Sequence, residues 1–193
     1  MHYTDKYLDI ILSAISEFES LENYPFCLQI LNTCIEHYPD YAELYQAKGY
    51  IHYVQGKQES AIEEFNKAIQ LQKKSDFFGY RGKAFYELGE FNKAITDFSK
   101  ALELEKSHSW FYWRALTLTR VEYDGKAIED FTEAIKLLPY DTGSYFLRAQ
   151  SYFKMMDFEK SFADLDKCIE INPEHNSAKK LKQTYLEIKP KLS

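Results

Sequence analysis

Apolar residues recur along this chain at helical spacing. Ala61, Ile62, Phe65, Ala68 and Ile69 fall on one stripe, with Glu63, Asn66 and Lys67 between them, which predicts an amphipathic helix. A second helical stretch precedes it, marked by Tyr45, Gly49, His52 and Tyr53, so the two predict a helical hairpin. The pattern then repeats. Ala61 to Ile69 returns as Ala94 to Leu102 and as Ala127 to Ile135, at a period of about 33 residues, which is in the range of helical repeat arrays. A weaker copy, Ser161 to Ile169, comes one residue later than that period requires, and a degenerate one, Cys27 to Ile35, precedes the first by the same longer step. Five units therefore tile the chain, at 8–41, 42–74, 75–107, 108–141 and 142–175.

The slots within each unit are specific. On the first helix an aromatic slot holds Tyr45, Phe78, Phe111 and Tyr145, and a small slot holds Gly49, Gly82, Ala115 and Ala149. On the second helix Ala61, Ala94, Ala127 and Ser161 are followed by Phe65, Phe98, Phe131 and Leu165, then by Ala68, Ala101, Ala134 and Cys168. Small and large residues are obligate partners here, because two helices approach closely only where one presents Gly or Ala and a ring on the other fills the adjoining gap. This arrangement resembles the tetratricopeptide repeat family over about nine tenths of the chain. The resemblance implies an all-α fold: a right-handed α-solenoid, or superhelix, of about five helical hairpins in one domain over 1–193.

Departures from the family pattern are local. The closing proline slot holds Pro39, Pro139 and Pro173, but Lys73 and Lys106 at the other two junctions, where the helices are expected to run on slightly further. Gly56 and Gly89 fill the turn slot of the second and third units, whereas Glu22, Glu122 and Met156 fill it elsewhere and Gly125 has moved into the next helix start. The first unit is the most degenerate, with Ile11, Ala14 and Ile15 on its first helix and Pro25 near the start of its second, and is expected to act as an N-terminal cap. Beyond Pro173, Ala178, Leu181, Tyr185 and Ile188 keep helical spacing, so 176–189 is expected to be a C-terminal capping helix.

Charge recurs in the same register. Lys48, Arg81, Arg114 and Arg148 are each followed sixteen residues later by Glu64, Asp97, Asp130 or Asp164. A ladder of ion pairs between adjacent helices accounts for this, each pair contributing about 0 to 1 kcal/mol if exposed. Anion binding by the arginine row is the alternative reading.

Composition narrows the class of function. The chain has 193 residues and a formal charge of −6, which argues against the basic surface needed for nucleic acid or anionic membranes. The deficit is N-terminal: residues 1–98 carry 9 basic and 15 acidic side chains, and the remainder 15 and 15. Three cysteines are too few for a disulfide framework, and no stretch is long and apolar enough for a signal peptide or a membrane span, so a cytoplasmic location is expected. No phosphate loop, nucleophile elbow or His-Glu-x-x-His motif occurs. Cys27, Cys34 and His37 fall in packing slots, His37 where other units have Leu71, Leu104, Leu137 and Ile171, and His52 stands where they have Phe85, Leu118 and Tyr152. No metal site, cofactor or enzymatic activity is expected.

In the family, first helices line a concave groove that takes extended or helical peptides. The resemblance places Glu43, Tyr50 and Tyr53 there, then Asp76, Tyr80, Lys83 and Tyr86. Tyr112, Trp113 and Arg120 follow, and then Phe146, Gln150, Phe153 and Lys154. Such rings offer large contact area at low entropy cost, although some are expected to pack between repeats instead. The carboxylate clamp of Hsp70 and Hsp90 co-chaperones is not supplied, since the matching positions hold Gln46 and Tyr50, Tyr80, and Ser109 and Trp113. The expectation is a noncatalytic adaptor or scaffold for a protein or peptide ligand. The alternative is a dedicated inhibitor or immunity-type protein that blocks a basic toxin or enzyme with the acidic half. An uncapped end would also let copies self-associate.

Overall fold

The computed structural model describes residues 8, 11–13 and 23–188. Over these the chain is helical, with no strand among the described residues. The helices are α1 (Tyr24–His37), α2 (Ala42–Val54), α3 (Gln58–Leu71), α4 (Ser75–Glu87) and α5 (Phe91–Leu104). They continue as α6 (His108–Arg120), α7 (Asp124–Leu137), α8 (Thr142–Lys154), α9 (Phe158–Ile171) and α10 (Asn176–Ile188). Residues 1–90 and 91–193 form two compact units.

In the first unit α3 packs against both α2 and α4, and α1 against α2. Leu8, Cys27, Leu31, Leu44 and Ile51 form one buried cluster, which Ile11 and Leu12 join, so the degenerate first repeat adds to the core. Ala14, Ile15 and Glu22 lie outside the described residues. In the second unit each helix from α5 to α10 packs on its neighbour in sequence. Ala115 and Ala127 are buried with Phe131, and Ala149 with Leu165, Cys168 and Ala178.

The turns inside the hairpins share one conformation despite their different residues. Gly56 and Gly89 have φ of 74° and 75°, and Glu122 and Met156 adopt 62° and 63° in the same place. In each, the N–H one residue later donates back to the last turn of the first helix: Lys57 to His52 O (2.9 Å), Glu90 to Phe85 O (2.9 Å), Tyr123 to Leu118 O (2.9 Å) and Asp157 to Tyr152 O (2.9 Å). This bond closes the helix through a left-handed residue whether or not that residue is glycine.

Two expectations are corrected. α3 and α5 end at Leu71 and Leu104, the register at which α7 ends before Pro139, so Lys73 and Lys106 do not prolong them. The next helix starts at Ser75 or His108 and sets the end instead of the proline. His37 is exposed, its Nδ1 within 2.9 Å of Thr33 O, and Leu71, Leu104 and Leu137 in the same slot are exposed too. The slot is the last residue of the second helix, where the side chain clears the neighbouring helices.

Candidate partner-binding face

The charged rows fix the rotation of each first helix. Lys48 meets Glu64 at 3.1 Å. Arg114 grips Asp130 through Nε and Nη2, both at 2.7 Å, and Arg148 grips Asp164 at 2.8 and 2.7 Å. Each arginine also donates to the second helix of the preceding repeat: Arg81 to Asn66 (2.6 Å), Arg114 to Ser99 (3.1 Å) and Arg148 to Thr132 (2.9 Å). The Arg148 and Asp164 side chains are 14% and 9% exposed, so this rung is not a surface pair. Burial alone would lower the Arg148 guanidinium, but the hydrogen bond and charge of Asp164 outweigh it and raise it further. Removing one partner of such a pair strands a charge, which costs about 3 to 5 kcal/mol in fully buried cases. The ladder is therefore structural in these rungs.

With the rows fixed, the opposite faces of the first helices carry the expected binding residues. In the first unit the rings of Tyr50 and Tyr53 lie 6.4 Å apart, and Tyr50 meets Tyr80 edge-on at 5.3 Å. Lys83 Nζ sits over Tyr80 at 5.4 Å and over Tyr53 at 5.9 Å. Burial pushes the Lys83 ammonium below its ordinary value against the opposing charge of Glu87. Burial likewise raises the Tyr53 phenol, with Glu87 adding to it. Tyr86 is half-buried and Asp76 exposed. Glu43 is bound by Lys74, so its charge is already answered within the chain.

In the second unit Tyr112 meets Trp113 edge-on at 6.3 Å and Phe131 at 6.1 Å, while Trp113 stacks on Phe98 at 6.5 Å. Arg120 lies over Phe91 at 5.5 Å, and Lys154 reaches Asp124 at 3.5 Å. Phe146 faces His175 at 5.4 Å, and Gln150 beside it is half-buried. Phe153 is covered: Tyr185 of α10 stacks on it with centroids 3.5 Å apart and planes 12° from parallel.

Sequence reasoning did not find Tyr185 as the partner of Phe153. It also passed over Lys182, which stands one repeat beyond Arg148 and bonds back to Asp166, the position of Thr132. The repeat register carried that signal: α10 is laid down as a further first helix.

Among the described residues, reactive side chains do not assemble into a nucleophile and base. His108 Nε2 (3.1 Å) and the Ser144 hydroxyl (2.5 Å) both turn to Asp141, which caps α8 by accepting from Gly143 N and Ser144 N. Burial alone would raise the Asp141 carboxyl, but the bonds from Ser144 and His108 hold it below the usual range. Cys168 is buried and its thiol pushed up to about 12 by that burial. Among the described residues no group of three or more His, Cys, Asp or Glu side chains could hold a metal ion, and no helix is long and apolar enough to cross a membrane.

Helical hairpins joined by left-handed turns, locked by small-to-aromatic contacts and tied by charged rungs, define an all-α solenoid of the repeat type. Tetratricopeptide repeat models match residues 42–75, 75–108 and 142–175, together just over half the chain, and the chain belongs to that family. No curated protein matches the sequence. Among solved structures, YrrB, described as a TPR protein with an unusual peptide-binding site, is 20% identical, with a TM-score of 0.77 over 90% of each chain. MamA is 17% identical, with a TM-score of 0.78 over 84% of this chain and 96% of its own. The first TPR of Spaghetti (RPAP3), bound to the HSP90 peptide SRMEEVD, is 19% identical, with a TM-score of 0.57 over 60% of this chain and 92% of its own.

Proposed function

We propose that this chain is a noncatalytic, cytoplasmic adaptor that binds an extended or helical protein segment along the outward faces of its first helices. The observation that carries the reading is the cluster of Tyr50, Tyr53, Tyr80 and Lys83 on α2 and α4, in which a half-buried ammonium lies over two rings and the third ring packs against both. In the second unit Trp113 takes the position of Tyr80 on α6, with Tyr112 edge-on beside it. Rings held by neighbours lose little freedom on binding, so their contact area converts efficiently into affinity. Peptide binding by YrrB and by the first TPR of Spaghetti supports the class of ligand. The absence of matching clamp residues argues for a ligand other than a chaperone tail.

Selection of a displayed random peptide library on the whole chain tests this reading. Tyr80, Tyr112 and Trp113 also pack on Phe65, Phe131 and Phe98, so the informative variants are Tyr50→Ser and Lys83→Ala, with folding checked by circular dichroism. Selected peptides should lose affinity at least tenfold for the folded variants. Unchanged affinity would remove the first-helix face from consideration. A single basic protein partner with steep salt dependence, in place of peptides, would favour the inhibitor reading, to which the N-terminal acidic excess points.

A further inference from the structure

We propose that the cavity beside Arg114, on the face of α6 opposite Tyr112 and Trp113, binds an aromatic ring carrying a carboxylate. The arginines of the row are packed by rings. Arg81 lies 5.7 Å from the Phe78 ring and 5.8 Å from that of Phe85. Arg148 lies 5.6 Å from Tyr145 and 5.8 Å from Tyr152. Arg114 has Phe111 at 5.9 Å, but the position of Phe85 and Tyr152 is taken by Leu118. The second ring of the sandwich is missing, and a cavity of about 480 Å³ lies there, lined by Ile95, Ser99, Arg114, Leu118, Tyr123 and Lys126. That volume falls in the range of small-ligand pockets, about 300 to 1,000 Å³.

The chemistry of the lining selects the ligand. Arg114 spends three of its five N–H groups on Asp130 and Ser99, and those bonds lie in the guanidinium plane, so its face is free to stack on a ring. Ile95 and Leu118 offer apolar walls to the ring edge. At the rim, Lys126 Nζ lies over Tyr123 at 5.6 Å with no carboxylate within ion-pair distance among the described residues. One repeat later its counterpart Lys160 is held by Asp157 at 2.6 Å, where the fourth repeat has Tyr123. The fourth repeat has thus lost both the ring that fills the crevice and the acid that answers the lysine. A ligand that restores both carries a ring and a carboxylate. Glu129 at the exposed rim opposes an anion, so the carboxylate must lie on the Lys126 side. This inference is independent of the groove reading.

The test is titration of the full chain with N-acetylphenylalanine, its amide and acetate, followed by methyl NMR of Ile95 and Leu118. The acid should shift the Ile95 methyl saturably, with the amide at least tenfold weaker and acetate silent. Leu118→Tyr and Leu118→Phe install the residues of the fifth and third repeats, and should abolish binding while keeping the melting temperature. Lys126→Ala should reduce the acid to the level of the amide. An alanine tripeptide extended by a C-terminal phenylalanine separates two sources of the same chemistry: tighter binding than N-acetylphenylalanine assigns the site to a chain terminus, and equal binding to a free aryl acid. No saturable shift with the acid, or binding retained in both folded Leu118 variants, overturns the proposal.

Discussion

A Cβ added at Gly49 would lie 2.8 Å from Cε1 of Phe65, closer than side chains approach one another. The Phe65 ring is fully buried, and Ala61 O stands 3.2 Å from the same point, so neither a ring swing nor a backbone shift is cheap. Gly49→Ala gains about 1 kcal/mol of helix propensity and meets an overpacking cost of about 1 to 3 kcal/mol, so a net loss of about 1 kcal/mol is expected. The fifth repeat closes with Ala149 against Leu165. Gly49→Ala combined with Phe65→Leu should therefore cost less than the two single changes added together. A double-mutant cycle by urea unfolding reads the coupling; strict additivity would mean the contact is not limiting.

Glu122 and Met156 occupy left-handed turns that glycine fills at Gly56 and Gly89. A residue with a Cβ in that region carries about 1 to 2 kcal/mol of strain, part of which glycine returns as unfolded-chain entropy. Glu122→Gly and Met156→Gly should each stabilise the fold by about 0.5 to 1 kcal/mol. Thermal unfolding of the two variants checks this, and a lowered melting temperature for both would show that their side chains contribute packing that outweighs the strain.

His52 gives the fold a pH dependence of known sign. Burial, then the charge of Lys48, lowers its imidazole below the ordinary 6.5, against Glu64 and Glu63, while Lys57 adds to the lowering. Its Nδ1 has no hydrogen-bond partner. The unfolded chain then binds a proton at higher pH than the folded one. This contribution is silent above the unfolded value and turns destabilising as pH falls through 6.5 towards the folded value. His52→Leu, the residue of the fourth repeat, should leave stability at pH 8 unchanged or higher and flatten the decline between pH 7 and 5. Parallel urea melts of wild type and variant at these pH values measure the difference. Identical slopes would place the proton elsewhere.

The reading from sequence succeeded where one contact is stated several times over. Gly49 with Phe65, Ala115 with Phe131 and Ala149 with Leu165 express the same hairpin closure, so each copy corroborates the others. The charged register was visible for the same reason. It underrated the rungs, because the degree to which Arg148 and Asp164 are covered depends on the neighbouring helix and not on their spacing. Glu122 departs from the glycine of the turn slot, yet the returning Tyr123 N–H holds it in the glycine conformation. The stacking of Tyr185 on Phe153 and the space beside Leu118 were not read, although the register placed Leu118 in the slot of Phe85 and Tyr152. The stack arises from what a neighbouring helix brings to a position, and no local motif marks that.

The double attachment of Arg148, forward to Asp164 and back to Thr132, has an evolutionary consequence. Every unit built this way carries one half of each of its two joints: the arginine that reaches back, and the polar side chain that the next unit's arginine reaches. A recombination that duplicates or deletes one whole repeat restores both joints wherever the crossover falls, provided the register is kept. Lys182, bonded back to Asp166, marks where the next such unit attaches. The length of this protein is thus open to change in whole units without redesign of any interface.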